Sequence, residues 1–275
     1  FGRLWVFQPD KDDPALPIVA TLRVTQALRR ALLRNVHDAV CGCKRWRGQV
    51  PSCREASKCY AKIPGMLSSH APDCGPLKAP HVAFAPLPFV HPVQRHADGE
   101  IKGVGILVPR DMERDLSVMA MLARGLRGIE QHGLRIPGVG EWRLREVSAD
   151  DPPLMTLDPL TWTEPSHAWA TVTPMVFGHF PKPDKEGEAK VVLDSLHLAG
   201  IDPSRVVEIA VGQHSPLHGV PPSWSFNTRR DRNEAEEPRR LVRHVTIRFD
   251  APVEGPLALG ALRYFGLGLM RPLAA

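Results

Sequence analysis

The chain has 275 residues, a formal net charge of +5 and a pI near 9.1. Its 43% hydrophobic and 24% charged residues are the balance of a globular protein and exclude a disordered chain. No apolar run approaches the roughly 18 residues of a membrane span, so we expect no membrane partner. Arginine supplies most of the positive charge, which favours nucleic acid as a partner, because guanidinium groups bind phosphate in a bidentate manner.

The start of the chain and its cysteines bear on its context. The sequence opens directly on the strand-like stretch FGRLWVFQ, without initiator methionine or signal peptide, and we expect it to be part of a longer protein. Five cysteines and no secretory signal predict a cytoplasmic protein with reduced thiols rather than a disulfide framework. Four of them lie close together without a CxxC pair, so free thiols in a loop are favoured and a structural zinc site stays open: Cys41, Cys43, Cys53 and Cys59.

Periodicity predicts four strands and two helices in the first part of the chain. In order they are a strand over 1–8, a helix over 20–36 with Val24, Leu28, Leu32 and Val36 inward, strands over 81–90 and 102–108, a helix capped by Asp111 with Val118, Leu122, Leu126 and Ile129 inward, and a strand over 141–147. Prolines place the 81–90 strand at a sheet edge or bulge. Residues 37–77 lack periodicity and are predicted to form a long inserted loop.

A similar order starts again after residues 150–165, whose proline and aspartate content indicates a linker. The second part is predicted to hold a strand over 168–177, a helix over 185–198 with Ala189, Val192, Leu193 and Leu196 inward and Gly200 at its end, strands over 206–211 and 241–249, and a short last strand. We therefore predict an α+β fold of two tandem ferredoxin-like (RRM-like) βαββαβ halves. They are residues 1–150, with the insertion at 37–77, and residues 151–275.

The segment 255–272, GPLALGALRYFGLGLMRP, is rich in glycine. Such glycines allow backbone amides to approach an anion closely, and Arg263 and Arg271 add positive charge. A dinucleotide-binding loop is disfavoured, because that loop follows a strand near the start of a βαβ unit. Together with HVTIRF at 244–249, the segment resembles the glycine-rich loop of the RAMP superfamily, the repeat-associated proteins of CRISPR systems.

A second stretch, MLSSHAPDCGPLKAPHVAFAPLP at 66–88, is similar to a signature of one RAMP branch, the C-terminal processing part of the fused subunit of the type I-G (formerly I-U) effector. Two positions depart from the pattern: Leu262 replaces a second glycine and Ala79 replaces another histidine. In that family a further module precedes this region. The resemblance implies a metal-independent endoribonuclease of antiviral defence that cuts CRISPR repeat RNA and retains the hairpin product.

The implied chemistry is attack by a ribose 2′-OH on the adjacent phosphate, which a histidine can assist as acid or base. In the superfamily the catalytic histidine lies at or soon after the first helix, which points to His70 and His81 and then to His37, while His91, His96, His214 and His218 are weaker candidates. RNA contact is predicted for Lys78, Arg229, Arg230, Arg239, Arg240, Arg243, Gly260, Arg263, Gly266 and Gly268. No cofactor is expected, and a bound metal stays open.

Two other functions remain open at this point. One is a non-catalytic RNA-binding subunit of the same effector, and the other is a zinc-stabilised nucleic-acid-binding module built on the cysteines. The segment from Trp224 to Arg243 mixes aromatic and basic residues, but its acidic residues are also compatible with a solvated loop. The partners that the resemblance implies are CRISPR repeat RNA and other subunits of a type I effector.

Overall fold

A computed structural model describes residues 1–41, 58, 61–148, 154–181, 187–229 and 240–273. Several predicted site residues lie outside these ranges: Cys43, Cys53, Cys59, Arg230 and Arg239. The predicted boundary at residue 150 also falls outside them, so the division into two domains stays a prediction. Below, the first half denotes residues 1–148 and the second half residues 154–273.

The first half forms a four-stranded antiparallel sheet with two long helices. Its elements are β1 (Arg3–Pro9), α1 (Thr21–Cys41), α2 (Gly65–Ser68), β2 (Ala83–Pro88), β3 (Ile101–Val108), α3 (Arg110–Glu113), α4 (Leu116–His132), β4 (Leu134–Ile136), β5 (Gly140–Trp142) and β6 (Leu144–Glu146). The strand order is β2-β3-β1-β6, with α1 between β1 and β2 and α4 between β3 and β6. This order is that of the split βαβ arrangement, as predicted for this half.

Both faces of this sheet are buried. On one face, the α1 stripe and the α4 stripe pack against Val104 and Ile106 of β3. The opposite face, through Leu4, Val6 and Leu87, shares a core with residues of the second half. The first sheet is therefore covered by its own helices on one side and by the rest of the chain on the other.

The second half forms a second antiparallel sheet. Its elements are α5 (Leu160–Thr163), β7 (Ser166–Thr171), β8 (Met175–Val176), α6 (Gly187–Leu198), β9 (Val206–Gly212), β10 (Val242–Val253) and β11 (Met270–Pro272). The order is β11-β7-β10-β8, and β9 also pairs with β10. Mixed helices and antiparallel sheets in both halves confirm the predicted α+β class. Within the described residues, no helix is long and apolar enough to span a bilayer.

The second half lacks the second helix of a complete βαββαβ unit. The connection between β10 and β11, residues 254–269, is described throughout and contains a short 3₁₀ turn at Arg263–Phe265 instead of an α-helix. Gly260, Gly266 and Gly268 have positive φ angles of 92°, 79° and 80°, which a helix does not allow. The prediction of a full second βαββαβ half is therefore wrong at this connection.

Four local predictions also need correction. The first helix extends beyond its predicted end at residue 36 to Cys41. His37, the first residue of the predicted loop, is buried on the helix like Val36 before it. Asp115, rather than Asp111, caps α4 by accepting hydrogen bonds from the backbone N–H groups of Ser117 and Val118. The predicted strand over 141–147 is divided into β5 and β6, since β5 pairs with β4 and β6 with β1. In α6, Ala189 is exposed, and the buried residues are Val191, Val192, Ser195 and Leu196.

The predicted linker after residue 150 is folded where the structure describes it. Trp162 on α5 is fully buried, and its indole Nε1 donates a hydrogen bond to the Thr156 carbonyl over 2.9 Å. A buried tryptophan with its one donor satisfied fixes the start of the second half against the shared core. Two other predictions are confirmed: β2 is an edge strand with an irregular register at Pro88, and Gly200 ends α6 with a φ of 78°.

Candidate active site

The connection between β10 and β11 crosses to the first half. The hydroxyl of Thr25, on α1, donates a hydrogen bond to the carbonyl of Phe265 over 2.8 Å. Gly266 lies so close to β2 that a Cβ there would stand 2.8 Å from the Phe84 carbonyl oxygen. Only glycine fits this approach, because the position combines a positive φ with backbone contact. The connection thus brings its 3₁₀ turn to the start of β2.

His81 stacks on Tyr264 at this crossing. The two ring centroids are 3.6 Å apart and the rings are inclined by 20°. His81 lies just before β2 and its Nδ1 is 3.1 Å from the Ala79 carbonyl. Since a carbonyl only accepts, Nδ1 carries the proton and Nε2 of the neutral ring carries the lone pair. The stack therefore fixes a histidine whose Nε2 is able to accept a proton.

The surroundings of His81 keep its ring neutral. The pKa of His81 is lowered from 6.5 to about 4, mainly by burial and to a smaller extent by the nearby Arg29 and Arg263, and by His70 when it is protonated. The hydrogen bond to Ala79 opposes this shift by favouring the protonated form. At neutral pH, His81 is therefore a hydrogen-bond acceptor at Nε2 among positive groups.

Arg29 holds the segment that carries His70. Its guanidinium Nη2, from α1, donates to the Ser68 carbonyl over 2.9 Å and to the Ser69 hydroxyl over 2.6 Å. The His70 ring uses the same carbonyl, with Nδ1 2.8 Å from the Ser68 oxygen. Since a carbonyl only accepts, Nδ1 is the donor here too. Arg29 and the end of α2 thus orient His70 beside His81.

Arg263 completes the group from the second half. Its guanidinium carbon lies 4.5 Å from the centre of the Tyr264 ring, and Nη2 donates to the Tyr264 hydroxyl over 3.1 Å. We name Arg29, His70, His81, Arg263 and Tyr264 the junction cluster. Its Arg263 and Tyr264 line a cleft of about 800 Å³ that also touches Pro80 and Pro109 of the first half.

His37 stands apart from the junction cluster. It lies in α1 with 2% of its surface exposed, and neither ring nitrogen has a hydrogen-bond partner among the described residues. Its Nδ1 is 3.5 Å from the carboxylate of Asp38. A ring buried in this way has no access to a phosphate in this conformation.

The glycines of the connection pack against protein backbone. The N–H of Gly260 donates to the Ser195 hydroxyl over 2.7 Å, and that of Gly268 donates to the Thr173 carbonyl over 3.2 Å. A Cβ on Gly268 would lie 1.8 Å from the Leu259 carbonyl oxygen. The amides of Gly260 and Gly268 are thus used inside the fold rather than presented to an anion, and their role is to shape the connection.

The predicted RNA-binding side chains are dispersed. Lys78, Arg229 and Arg240 are exposed. Arg243 differs, since its Nε donates to the Glu188 carboxylate over 3.0 Å and links β10 to α6. Trp224, in the same loop as Arg229, is 62% exposed. Its ring packs edge to face on that of His214, with the ring centroids 5.3 Å apart. This segment therefore presents a tryptophan and arginines to solvent.

The cysteines depart from the prediction. Cys41 and Cys74 are both disulfide-bonded, so the expectation of reduced thiols is wrong for these two. A disulfide sulfur is not the thiolate that a zinc site needs, and Cys41 is one of the four candidate ligands. Within the described ranges, no group of three or more histidine, cysteine, aspartate or glutamate side chains could hold a metal ion.

Two members of the junction cluster, Arg29 and Tyr264, were not singled out from the sequence. Arg29 directly follows Leu28 of the buried stripe of α1, so it lies at the border of the packed face. Tyr264 is one of two tyrosines in the chain and lies between Gly260 and Gly266. A lone tyrosine within the glycine-rich segment was the signal available for it in the sequence.

A family model described as "CRISPR-associated protein, GSU0054 family" matches residues 15–272. Among solved structures, the chain is similar to a Cas6 product complex, with 15% identity, a TM-score of 0.43 and coverage of 98% of this chain and 99% of the other. It is similar to the product of a Cas6-related gene from Pyrococcus furiosus, with 11% identity, a TM-score of 0.37 and coverage of 98% and 97%. A third similar structure is Csf5, a type IV Cas6 crRNA endonuclease, with 14% identity, a TM-score of 0.34 and coverage of 98% of each chain. A search among curated proteins found no match.

Proposed function

We propose that this chain, which belongs to the CRISPR-associated GSU0054 family, is an endoribonuclease that cuts CRISPR repeat RNA at the junction cluster. The observation that carries the proposal is the meeting of His70 and His81 with Arg263 and Tyr264, four residues from two distant segments that sequence motifs had marked. Two histidines and two arginines in one cluster are the side chains that cleavage by 2′-OH attack requires.

In the proposed reaction the ribose 2′-oxygen attacks the adjacent phosphorus and the bond from phosphorus to the 5′-oxygen breaks. Nε2 of His81 accepts the proton of the 2′-OH, since this nitrogen carries the lone pair in the neutral ring. Protonated Nε2 of His70 donates a proton to the departing 5′-oxygen. The products are a 2′,3′-cyclic phosphate and a 5′-OH, and each proton transfer is assigned to a side chain, so the proposal requires no metal ion.

The arginines and the tyrosine have separate roles in this proposal. Arg29 and Arg263 supply positive charge for the pentavalent phosphorus, which carries more negative charge than the starting phosphodiester. Arg29 also positions His70 through the Ser68 carbonyl that both contact. Tyr264 holds the His81 ring by stacking.

The exposed basic and aromatic segment extends the proposal to RNA retention. Lys78, Arg229 and Arg240 contact phosphates, and the exposed Trp224 stacks on an unpaired base. Retention of the hairpin product, a place in a type I effector as the processing part of its fused type I-G subunit, and a cytoplasmic site of action are further elements of the proposal. The resemblance of residues 66–88 and 244–272 to that family supports them.

A second candidate function is RNA binding without cleavage. The pKa of about 4 favours it, because a histidine with so low a pKa is a weak base at neutral pH. An RNA phosphate next to His81 would raise that pKa by adding negative charge. If the chain cleaves RNA, the pKa of His81 should rise when RNA binds. If the chain only binds RNA, that pKa should stay low.

The deciding experiment incubates the protein with labelled repeat RNA in EDTA. Cleavage to a cyclic phosphate and a 5′-OH is expected, and a single 2′-deoxy substitution at the cut site should abolish cleavage while binding persists. Cleavage that stops in EDTA and returns with Mg²⁺ would refute the metal-independent mechanism. Tight binding without any cut would instead establish the second candidate.

A further inference from the structure

Arg271, on β11, is a buried arginine without an acidic partner. It is 6% exposed, its Nη1 donates to the Val90 carbonyl, and its guanidinium lies 6.0 Å from the Trp162 ring. No carboxylate of the described residues forms an ion pair with it. Burying a positive charge is costly unless an anion or a full set of hydrogen bonds compensates it.

Other arginines of the chain differ from Arg271 in exposure and in having carboxylate partners. The arginines that form ion pairs among the described residues are partly or largely exposed and bind carboxylates: Arg110 with Glu254, Arg145 with Asp10, Arg205 with Asp250, Arg243 with Glu188 and Arg248 with Glu208. Burial lowers the pKa of Arg271 to about 10, which still leaves it charged at neutral pH. Arg271 is therefore a buried positive charge that no carboxylate of the described residues neutralises.

His91 lies close to this arginine, and His96 and His218 lie close to His91. His91 follows Val90, and its backbone pairs with His218 through two hydrogen bonds of 2.9 and 3.2 Å. His96 packs on Phe89 with ring centroids 5.6 Å apart. Nδ1 of His91 accepts the backbone N–H groups of Val93 and Gln94, each over 3.0 Å, so its proton is on Nε2.

The carboxylates closest to His96 in sequence are paired with a lysine. Asp98 and Glu100 follow His96 in sequence, and both contact the ammonium group of Lys102, at 3.5 and 2.8 Å. The charges of Arg271, His96 and His218 all lower the pKa of His91, after the larger effect of burial. His91, His96 and His218 are named the histidine rim, and Arg271 lies below it as a buried donor.

We propose that Arg271 and the histidine rim bind one phosphodiester of the RNA, at a site separate from the junction cluster. The proposal rests on the proposed function for the identity of the anion. His81 precedes β2 and Val90 follows it, so the two sites lie at opposite ends of this strand, on the order of 25–30 Å apart for an extended chain. An RNA that contacts both sites spans several nucleotides.

The surroundings favour RNA over a protein carboxylate as the source of the anion. His218 shares its loop with Trp224, whose exposed ring offers a stacking surface to a base. Protein partners are anchored by clusters of apolar and aromatic side chains, whereas the other exposed residues of this loop are mostly polar: Gln213, His214, Ser225, Asn227 and Arg229. A single exposed aromatic beside a phosphate site matches a nucleotide.

The test measures binding of uncleavable 2′-deoxy repeat RNA as a function of salt. Arg271→Gln should weaken binding by about 10- to 150-fold, the value of a hydrogen bond to a charged group, and reduce the salt slope by about 0.7 for single-stranded RNA. Arg248→Gln is the matched control, since Arg248 is exposed and paired with Glu208, and it should leave the affinity unchanged. The double variant His96→Gln/His218→Gln leaves Arg271 in place and should lose at least threefold in affinity.

A second measurement separates this site from the proposed function. Inorganic phosphate, compared with chloride at equal ionic strength, should raise the melting temperature of the wild type more than that of Arg271→Gln or the rim double variant. This result supports the site even if the chain does not bind repeat RNA. Equal stabilisation of all three proteins, or RNA affinity and salt slope unchanged in the rim double variant, would overturn the proposal, including where Arg271→Gln fails to fold.

Discussion

The two halves differ in how the last strand of each sheet is connected to the strand before it. In the first half, β3 is joined to β6 through α4, a 17-residue helix that packs on its own sheet. In the second half, β10 is joined to β11 by a glycine-rich connection that leaves its own sheet and contacts α1 and β2 of the other half. The absence of a helix at the second connection matters for the site. A helix packed on its own sheet, as α4 is, would keep Arg263 and Tyr264 away from His81.

The two halves also contribute different residues to the junction cluster. The first half provides the histidines and Arg29, while the second half provides the tyrosine that stacks on His81 and the arginine beside it. Each half is therefore incomplete as a site. The predictions below test whether the halves depend on each other in this way, from the largest expected effect to the smallest.

The largest effect is expected from the histidines of the first half. His70→Ala and His81→Ala should each slow single-turnover cleavage by about 10²- to 10⁴-fold, the usual contribution of a positioned acid or base, with little change in RNA affinity. His132→Ala, which removes an exposed histidine at the end of α4, is the control and should cut at the wild-type rate. If both variants cut normally and remain stable, the histidine assignment is wrong.

A pH titration compares the two halves through two buried histidines. Burial lowers the pKa of both His81 and His244 from 6.5 to about 4. The unfolded chain takes up protons below pH 6.5 while the folded one does not, so the free energy of unfolding should fall as the pH decreases from 6.5 to 4. At about 1.4 kcal/mol for each pKa unit, each histidine accounts for a loss of about 3 kcal/mol, measurable by urea unfolding.

The same pair distinguishes the halves when RNA is added. His244 is enclosed by the Thr171 hydroxyl and the Pro221 carbonyl, each 3.0 Å away, whereas His81 lies in the junction cluster. Repeat RNA should therefore raise the pKa of His81 and leave that of His244 unchanged in an NMR titration of the ring resonances. Equal shifts of both pKa values would contradict a phosphate contact at His81.

A smaller effect is expected from blocking the crossing of the connection. Gly266→Ala adds a Cβ that would meet the Phe84 carbonyl oxygen at 2.8 Å, on a backbone with a φ of 79°. We expect a loss of about 1–3 kcal/mol in the free energy of unfolding and a slower cleavage. Gly138→Ala is the matched control, since its φ is 74° and nothing lies within 4 Å. If the two variants lose the same stability and cleave alike, the approach to β2 does not matter.

The smallest effect concerns one hydrogen bond between the halves. Thr25→Val removes the hydroxyl that donates to the Phe265 carbonyl and leaves that carbonyl without this donor. A loss of about 1 kcal/mol in the free energy of unfolding is expected. Thr163→Val, whose hydroxyl donates to the Pro159 carbonyl within one turn, is the control for a purely local bond. A control as costly as Thr25→Val would refute a special role for this contact.

The first half was largely predictable because its signals are local. The i+4 recurrence of Val24, Leu28 and Leu32 predicts a buried helix face, and prolines in the β2 segment predict an edge strand. Both signals need only neighbouring residues, and the structure confirms them. The prediction of Asp111 as the cap of α4 failed because Asp115 also precedes the same apolar stripe and lies closer to it.

The junction cluster was predictable only in part. His70, His81 and Arg263 lie in stretches that resemble family motifs, so the sequence marks them individually. The stack of His81 on Tyr264 depends on the path of a connection that leaves its own half, and no local pattern encodes that path. Arg29 was not predictable because its helix is regular and its partners, Ser68 and Ser69, are distant in sequence. Its hydrogen bonds to them depend on where α2 packs.

The hydrogen bond between Thr25 and Phe265 joins residues that are 240 positions apart in the chain. Ribosomes make proteins from the N-terminus, and a folding unit generally folds as it emerges. His70 and His81 are therefore synthesised well before Arg263 and Tyr264, and during this interval the nascent chain carries the histidines without their partners. A chain whose synthesis ends before Arg263 would carry His70 and His81 without Arg263 and Tyr264, so the complete junction cluster is present only late in translation.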